Sequence, residues 1–291
     1  MRNRIHVYMY SYKKKNLKSI VDKVFETASS DIFLHLIDQH PLKRAKQFIE
    51  YKHFHYRHVF WDHIFGPPFY KVEAFNERPD DNLYMAFIGE DVELKPGWDI
   101  AAINFLKEKN NLAFVSGQGR RGFVHKDKYF LEQTQEDSSI FTLSQAIDRQ
   151  FIMFHSDLIG KFRYPTDIKY YGEEELLSIE LFTSGFDIWS MPSGTYVDDK
   201  ERFCENNYAP FSIEHNYDKF VRGFANLDDR LFSEYEGRLR SVDDFAQFHG
   251  LDRSAIKPLP FPRNDVEYDP NALVFQDTGG ERFIAHVTAI Y

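Results

Sequence analysis

Through the first 190 residues, short β-prone apolar runs alternate with amphipathic stretches of helical period. That alternation predicts an α/β fold, because successive strands bridged by a helix lie parallel in one sheet. Ile5 to Tyr10 (IHVYMY) reads as the first strand. Leu17, Ile20, Val21, Val24, Phe25 and Ala28 then recur at helical spacing, with Asn16 as the expected cap. Asp31 to Ile37 is a second strand, closed by Pro41. Asn82 to Ile88 is a third, and it runs directly into Gly89, Glu90 and Asp91. After the Pro96-Gly97 turn, Asp99 is the expected cap of a helix whose apolar face carries Ile100, Ile103 and Leu106. Leu112 to Ser116, Gln150 to His155 and Phe186 to Met191 read as further strands. Glu174 to Ser184 reads as a helix stopped by Gly185.

Beyond about residue 200 the strand rhythm fades. Tyr217 to Tyr235 has a helical pattern, and Ser241 with Asp244 resembles a capping box ahead of Phe245 and Phe248. Pro258, Pro260, Pro262 and Pro270 predict an extended surface tail. The expected organisation is an α/β domain over 1–200 and a helical lobe with an extended tail over 201–291.

Composition narrows the function classes. No apolar run approaches the length of a membrane-spanning helix. The basic run at Lys13 to Lys15 follows the first apolar stretch, the reverse of a secretory signal. Cys204 is alone, which removes Cys-built zinc sites and agrees with a reducing cytoplasm, the host's if the chain is phage-encoded. The net charge of −9 argues against a protein that coats nucleic acid, although a local basic groove is still allowed.

Two acidic clusters carry the chemistry. Ligands of open α/β sheets sit beyond the carboxyl ends of the strands, where Glu90, Asp91 and Glu93 follow the third strand. Carboxylate oxygens there suit Mg²⁺ or Mn²⁺ bridged to a substrate's phosphates, or else form a solvated turn. Glu173, Glu174 and Glu175 open a helix. Charge at a helix start favours such acids, yet three in a row repel one another unless one meets a ligand. Two other motifs carry less. Gly117 to Gly122 (GQGRRG) follows a strand, but no helix start follows it, so a basic loop is expected rather than a dinucleotide site. His53, His55, His58 and His63 lack a zinc frame and read as surface or core histidines.

The order of these elements resembles the cytosolic GlcNAc-transferases that modify hydroxyproline on a ubiquitin-ligase adaptor. More broadly, it resembles glycosyltransferases of the A-type nucleotide-sugar fold. The family's YYLQIDSHM…WD stretch is similar to LYMAFIGEDVELKPGWD here, ending on Trp98 and Asp99. Its FGEE…R.YTHGYD stretch is similar to YGEEELLSIELFTSGFD, including Gly172, Glu173, Glu174, Gly185 and Asp187. Its SYRD element is similar to Ser11, Tyr12, Lys13 and Lys14, and a GPxxAR element to Gly66 through Lys71. A late family segment resembles EGRLRSVDDFAQFHGLD, so the likeness spans roughly residues 5–252.

The resemblance implies a central, mainly parallel mixed sheet with a helical C-terminal lobe, and transfer of a sugar from a nucleotide diphosphate, a UDP-sugar first, to a hydroxyl. It implies retention of anomeric configuration, and Mn²⁺ or Mg²⁺ as cofactor. Ser11, Tyr12 and Gln39 would line base and ribose, with Lys13, Lys71 and Glu90 also on the donor side. Glu173 and Glu174 would be the catalytic acids. The family's acidic triplet begins with Asp, whereas Gly89 stands here, so Asp91 becomes the principal metal ligand. The family's downstream Tyr-His ligand is replaced by Tyr196, Val197, Asp198 and Asp199, which offers Asp198 and Asp199 instead. The acceptor is a protein hydroxyl by the closest resemblance. Alternatives are a hydroxylated or hydroxymethylated base in DNA, as for phage-type enzymes, or an inactive sugar-nucleotide-binding module. No membrane partner is expected.

Overall fold

The computed structural model describes residues 4–12, 16–39, 45–48, 50–58, 71, 74–75, 83–90, 92–117, 138–144, 146–148, 150–164, 173–198, 239–248, 272–276 and 282–286. Its main elements begin with β1 (Arg4–Tyr12), α1 (Leu17–Thr27), β2 (Asp31–Gln39), β3 (Phe54–His58), β4 (Tyr84–Gly89) and β5 (Val92–Leu94). There follow α2 (Trp98–Glu108), β6 (Ala113–Ser116), β7 (Thr142–Ser144), β8 (Phe151–His155), α3 (Glu173–Thr183) and β9 (Asp187–Ser190). The last are β10 (Tyr196–Asp198), α4 (Val242–Phe248), β11 (Ala272–Gln276) and β12 (Arg282–His286).

An eight-stranded sheet has the order β3-β2-β1-β4-β8-β6-β9-β7. Strands β3, β2, β1, β4, β6 and β9 run in one direction, and β8 and β7 in the other. The sheet is therefore mixed and mainly parallel, as the strand–helix alternation predicts.

Alternation along each strand sends neighbouring side chains to opposite faces. Ile5, Val7 and Met9 of β1, with Leu34, Leu36, Ala86 and Ile88, meet Leu17, Val21 and Val24 of α1 and Trp98, Ala102 and Ile103 of α2. On the other face Tyr8, Met85, Phe87, Phe114, Ile152 and Phe154 meet Leu177 and Leu181 of α3. Full burial of each Val, Leu, Ile, Met or Phe among them contributes about 1.5–3 kcal/mol. The central strand β4 is apolar on both faces because both are covered, whereas the second face of β1, β2 and β3 carries His6, His35 and the exposed His55.

Helix ends depart in part from the sequence expectation. Asn16 occupies the cap position of α1, but its side chain makes no capping bond. Asp99 is not the cap of α2. Gly97, with φ of 82°, takes that position because the Pro96-Gly97 turn needs a left-handed residue. Asp99 lies in the first helical turn, fully buried, and its Oδ2 accepts the Ser29 and Ser30 backbone N–H groups at 2.9 and 2.6 Å. It thereby ties the α1–β2 turn to α2. Gly185 ends α3 as expected, with φ of 87°.

Helix α4 opens on the anticipated capping box. The Asp244 N–H donates to Ser241 Oγ at 3.0 Å, and the Ser241 N–H donates to Asp244 Oδ2 at 2.7 Å. The Ser241 N–H and the Ser241 hydroxyl, which donates to the same Oδ2 at 2.8 Å, hold the Asp244 carboxyl below the usual carboxylate range. The preceding Leu239 and Arg240 N–H groups both donate to the Thr183 carbonyl, and Arg240 pairs with Asp187 at 2.8 Å. Phe245 packs edge-on against Phe182 of α3. In the tail, β11 and β12 pair antiparallel, with Ala272 opposite His286 and Gln276 opposite Arg282. The ALVFQ and RFIAH runs are apolar enough to pair, and prolines 258 to 270 precede them. The helical pattern at Tyr217 to Tyr235 and the proline-rich stretch 256–270 lie outside the described residues.

Candidate active site

Three neighbouring parallel strands end side by side. Tyr10 of β1 is in register with Gly89 of β4, Ser11 with Asp38 of β2, and Tyr12 with Gln39. Adjacent strands are about 4.8 Å apart, so the ends of β2 and β4 flank β1 within about 10 Å. Ser11 and Asp38 are fully buried on the α1 side. Asp38 accepts the Tyr56 hydroxyl at 2.8 Å, whereas Ser11 Oγ is enclosed without a hydrogen-bond partner among the described residues. Glu90 is half-buried immediately after Gly89.

The chain leaving β4 forms β5, which pairs antiparallel with β10. Leu94 is opposite Tyr196, Glu93 opposite Val197, and Val92 opposite Asp198. Asp198 is thus aligned with the residue that follows Asp91 in the chain. Lys13, Asp91 and Asp199 lie outside the described residues, as do the side chains of Tyr12, Gln39 and Asp198. Among the described residues no group of three His, Cys, Asp or Glu side chains could hold a metal ion.

Because β8 is reversed, its beginning rather than its end reaches this edge. The Asp148 N–H donates to Ser116 Oγ at 2.6 Å, and the Gln150 N–H donates to Asp148 Oδ1 at 3.0 Å. The Gly89 N–H donates to the Gln150 carbonyl at 2.7 Å. Ser116 and Asp148 are fully buried, and Gln150 is 7% exposed. A Cβ built on Gly89 would come within 1.6 Å of Gln150 Oε1. The glycine therefore stands where an acidic residue was expected because the Gln150 side chain occupies that space. Sequence reasoning placed Gln150 only at a strand start and missed Asp148. Their signal is a polar stretch directly ahead of an apolar strand.

No protein-family model matches the sequence, and no curated protein matches it. Solved structures do. TarS of S. aureus (residues 1–349) superposes with a TM-score of 0.54 at 12% identity, over 80% of this chain and 70% of that one. The same protein in complex with UDP-GlcNAc gives 0.54 at 12%, over 80% and 71%. The mannosyltransferase PcManGT from Pyrobaculum calidifontis, in complex with GDP-Man and Mn²⁺, gives 0.52 at 11%, over 81% and 68%. The fold is that of the A-type glycosyltransferases.

On the α3 face of this fold, Lys71 and Glu173 meet. Lys71 Nζ donates to Glu173 Oε1 at 2.6 Å, and the Tyr164 hydroxyl donates to the same oxygen. Lys71 is 6% exposed and Glu173 2%. Burial, reinforced by the Glu173 charge, pushes the Tyr164 phenol well above its usual range, so it stays a donor. Lys71 Nζ lies 6.0 Å from the centre of the Phe87 ring. Phe87 is two residues before Gly89, so the pair sits just under the carboxyl end of β4. Glu174 is also buried, and nothing is described of the Glu175 side chain. Glu180, one face further along α3, accepts the Arg163 N–H at 2.6 Å, and burial raises its carboxyl pKa. It fixes the segment that carries Tyr164.

The histidine-rich stretch is edge strand β3. Phe54 and Tyr56 turn to the core, while His55 and Arg57 are exposed. His35 of β2 hydrogen-bonds His6 of β1 at 3.0 Å and packs edge-on to His55. Burial, then the neighbouring His6 and His55, lowers the His35 pKa to about 3. His63 and residues 118–122 of the GQGRRG motif lie outside the described residues.

Proposed function

We propose that the chain transfers a sugar from a nucleoside-diphosphate sugar, a UDP-sugar first, to an acceptor hydroxyl. The observation that carries this reading is the convergence of the β1, β2 and β4 ends with the β5–β10 ladder, on the sheet edge where open α/β folds bind ligands. The fold is shared with structures holding UDP-GlcNAc and GDP-Man. Base and ribose take the edge formed by Ser11, Tyr12 and Gln39, and Lys13 and Glu90 border the diphosphate. Asp91, with Asp198 and Asp199, offers hard carboxylate oxygens that fit Mn²⁺ or Mg²⁺. The β5–β10 register supports this set, since Asp198 is aligned beside the chain neighbour of Asp91. When bound, such an ion stabilises negative charge on the departing diphosphate.

Glu173 and Glu174 form the acceptor side. Lys71 acts through Glu173, because its ammonium is already spent on that carboxylate. A protein hydroxyl is the acceptor favoured by the sequence resemblance, which also carries retention of configuration. A DNA-base acceptor is disfavoured by the net charge of −9.

Calorimetric titration with UDP-GlcNAc and GDP-mannose, with Mn²⁺ and with chelator, tests the reading. Binding of at least one donor is expected, and Asp91→Asn should lower the metal-dependent affinity about tenfold or more, a loss of about 1.4 kcal/mol. A wild-type protein that binds neither donor overturns the proposal. A steep salt dependence of duplex DNA binding would transfer the acceptor to DNA.

A further inference from the structure

We propose that the Gln150 carboxamide is a donor-binding group, set in place by Asp148, that takes the position an acidic residue at 89 would hold. The inference rests on the nucleotide-sugar reading and deepens it.

Three observations lead to it. Gln150 is more than nine-tenths buried, yet its amide makes no hydrogen bond among the described residues. Neither amide atom is among the fully enclosed polar atoms that lack a partner, so the amide tip reaches the surface at the sheet edge, where a ligand can meet it. The amide tip lies against Gly89, which immediately precedes Glu90 and Asp91. Gly89 and Phe87 share a strand face by alternation, so the amide is on the same side of the sheet as Phe87 and Lys71. Finally, the backbone around it is pinned at three points. Asp148 holds the Gln150 N–H, Ser116 holds the Asp148 N–H, and Gly89 holds the Gln150 carbonyl. Fixing a residue so tightly at both amide and carbonyl leaves its side chain little freedom to retreat.

A carboxamide presents both donors and an acceptor and has no charge. Beside an anionic diphosphate its N–H group donates to a phosphate oxygen, whereas a carboxylate in the same place needs a cation between them. The substitution of acid by amide therefore shifts donor affinity away from strict metal dependence. Asp148 is a positioning residue here, since it reaches the donor only through Gln150.

The test is equilibrium binding of UDP and GDP, with Mn²⁺ and with chelator, to wild type, Gln150→Ala, Gln150→Glu and Gly89→Ala. Gln150→Ala should weaken nucleoside-diphosphate binding about tenfold in both conditions, the size of one hydrogen bond to a charged group. Gln150→Glu should bind poorly with chelator and regain affinity with Mn²⁺, a response that lost packing alone does not give. Gly89→Ala keeps the amide but displaces it, and should reproduce the Gln150→Ala loss. Melting curves of each variant separate binding from folding. Wild-type binding matched by all three variants in both conditions overturns the inference and leaves the nucleotide-sugar reading intact. Absence of binding by the wild type overturns both.

Discussion

Lys71→Met is expected to lower stability by about 3–5 kcal/mol, because it strands a buried carboxylate. Glu173 is 2% exposed, and its Oε1 accepts both Lys71 and Tyr164. With Lys71 gone, the phenol hydrogen bond is what that oxygen keeps among the described residues, and the helix start must either hydrate or protonate the acid. The double variant Lys71→Met/Glu173→Leu should recover most of the loss, since well-packed apolar replacements of buried pairs are often neutral. Urea unfolding of the two single variants and the double variant checks this. The pair spans 102 residues of sequence, so its coupling also reports whether α3 is docked. A single-variant cost below about 1 kcal/mol, the range of exposed ion pairs, would show that water reaches the pair.

Glu174→Gln is expected to lower turnover about 100-fold or more, the usual scale for a lost general acid or base. Glu173 accepts both Lys71 and Tyr164, and the proposed acceptor-side role therefore separates the two acids by experiment. Leu176, Leu177, Ile179 and Leu181 anchor α3, which keeps the Glu174 carboxylate in a fixed orientation, as positional catalysis requires. Initial rates at saturating donor and acceptor, alongside melting temperatures, separate the two acids. Glu173→Gln should lose stability together with rate, and Glu174→Gln mainly rate. Unchanged turnover in Glu174→Gln, with only the roughly 0.3–1 kcal/mol of a helix-terminal charge lost, would make the cluster a capping feature.

The sheet was legible wherever a short run was mostly apolar and rich in β-branched or aromatic residues. IHVYMY, DIFLHLI and QFIMFH are such runs, and all three became strands within a residue or two of their expected bounds. Strand β3 was not, because HFHYRH alternates aromatic with basic residues at a sheet edge and imitates a metal-binding cluster. The three-residue strands β5, β7 and β10 carry too little pattern to stand out. Asp99 was misread because an acid near a helix start is ordinarily a cap. Its true partner, the Ser29–Ser30 backbone, is brought close only by tertiary packing. The acidic clusters could be found from sequence, since their meaning depends on strand and helix ends. The Lys71–Glu173 pair and the Gln150–Gly89 contact could not, because each depends on which segments the folded sheet sets side by side.

The β5–β10 ladder has a kinetic consequence. β1, β2 and β3 pair with one another within the first 58 residues, so the loops between them close at low entropic cost. Val92 and Asp198 are separated by more than a hundred residues of sequence, and three residue pairs form the ladder. Non-local pairings of this kind form late, and short ones open first. The nascent chain therefore pairs its first three strands before the ladder that borders their ends. Hydrogen exchange should find the amides of 92–94 and 196–198 unprotected long before those of β1 and β2. Added nucleoside diphosphate and Mn²⁺ should slow exchange at the ladder most. Equal protection of ladder and central strands without ligand would mean the ladder is as rigid as the sheet it borders.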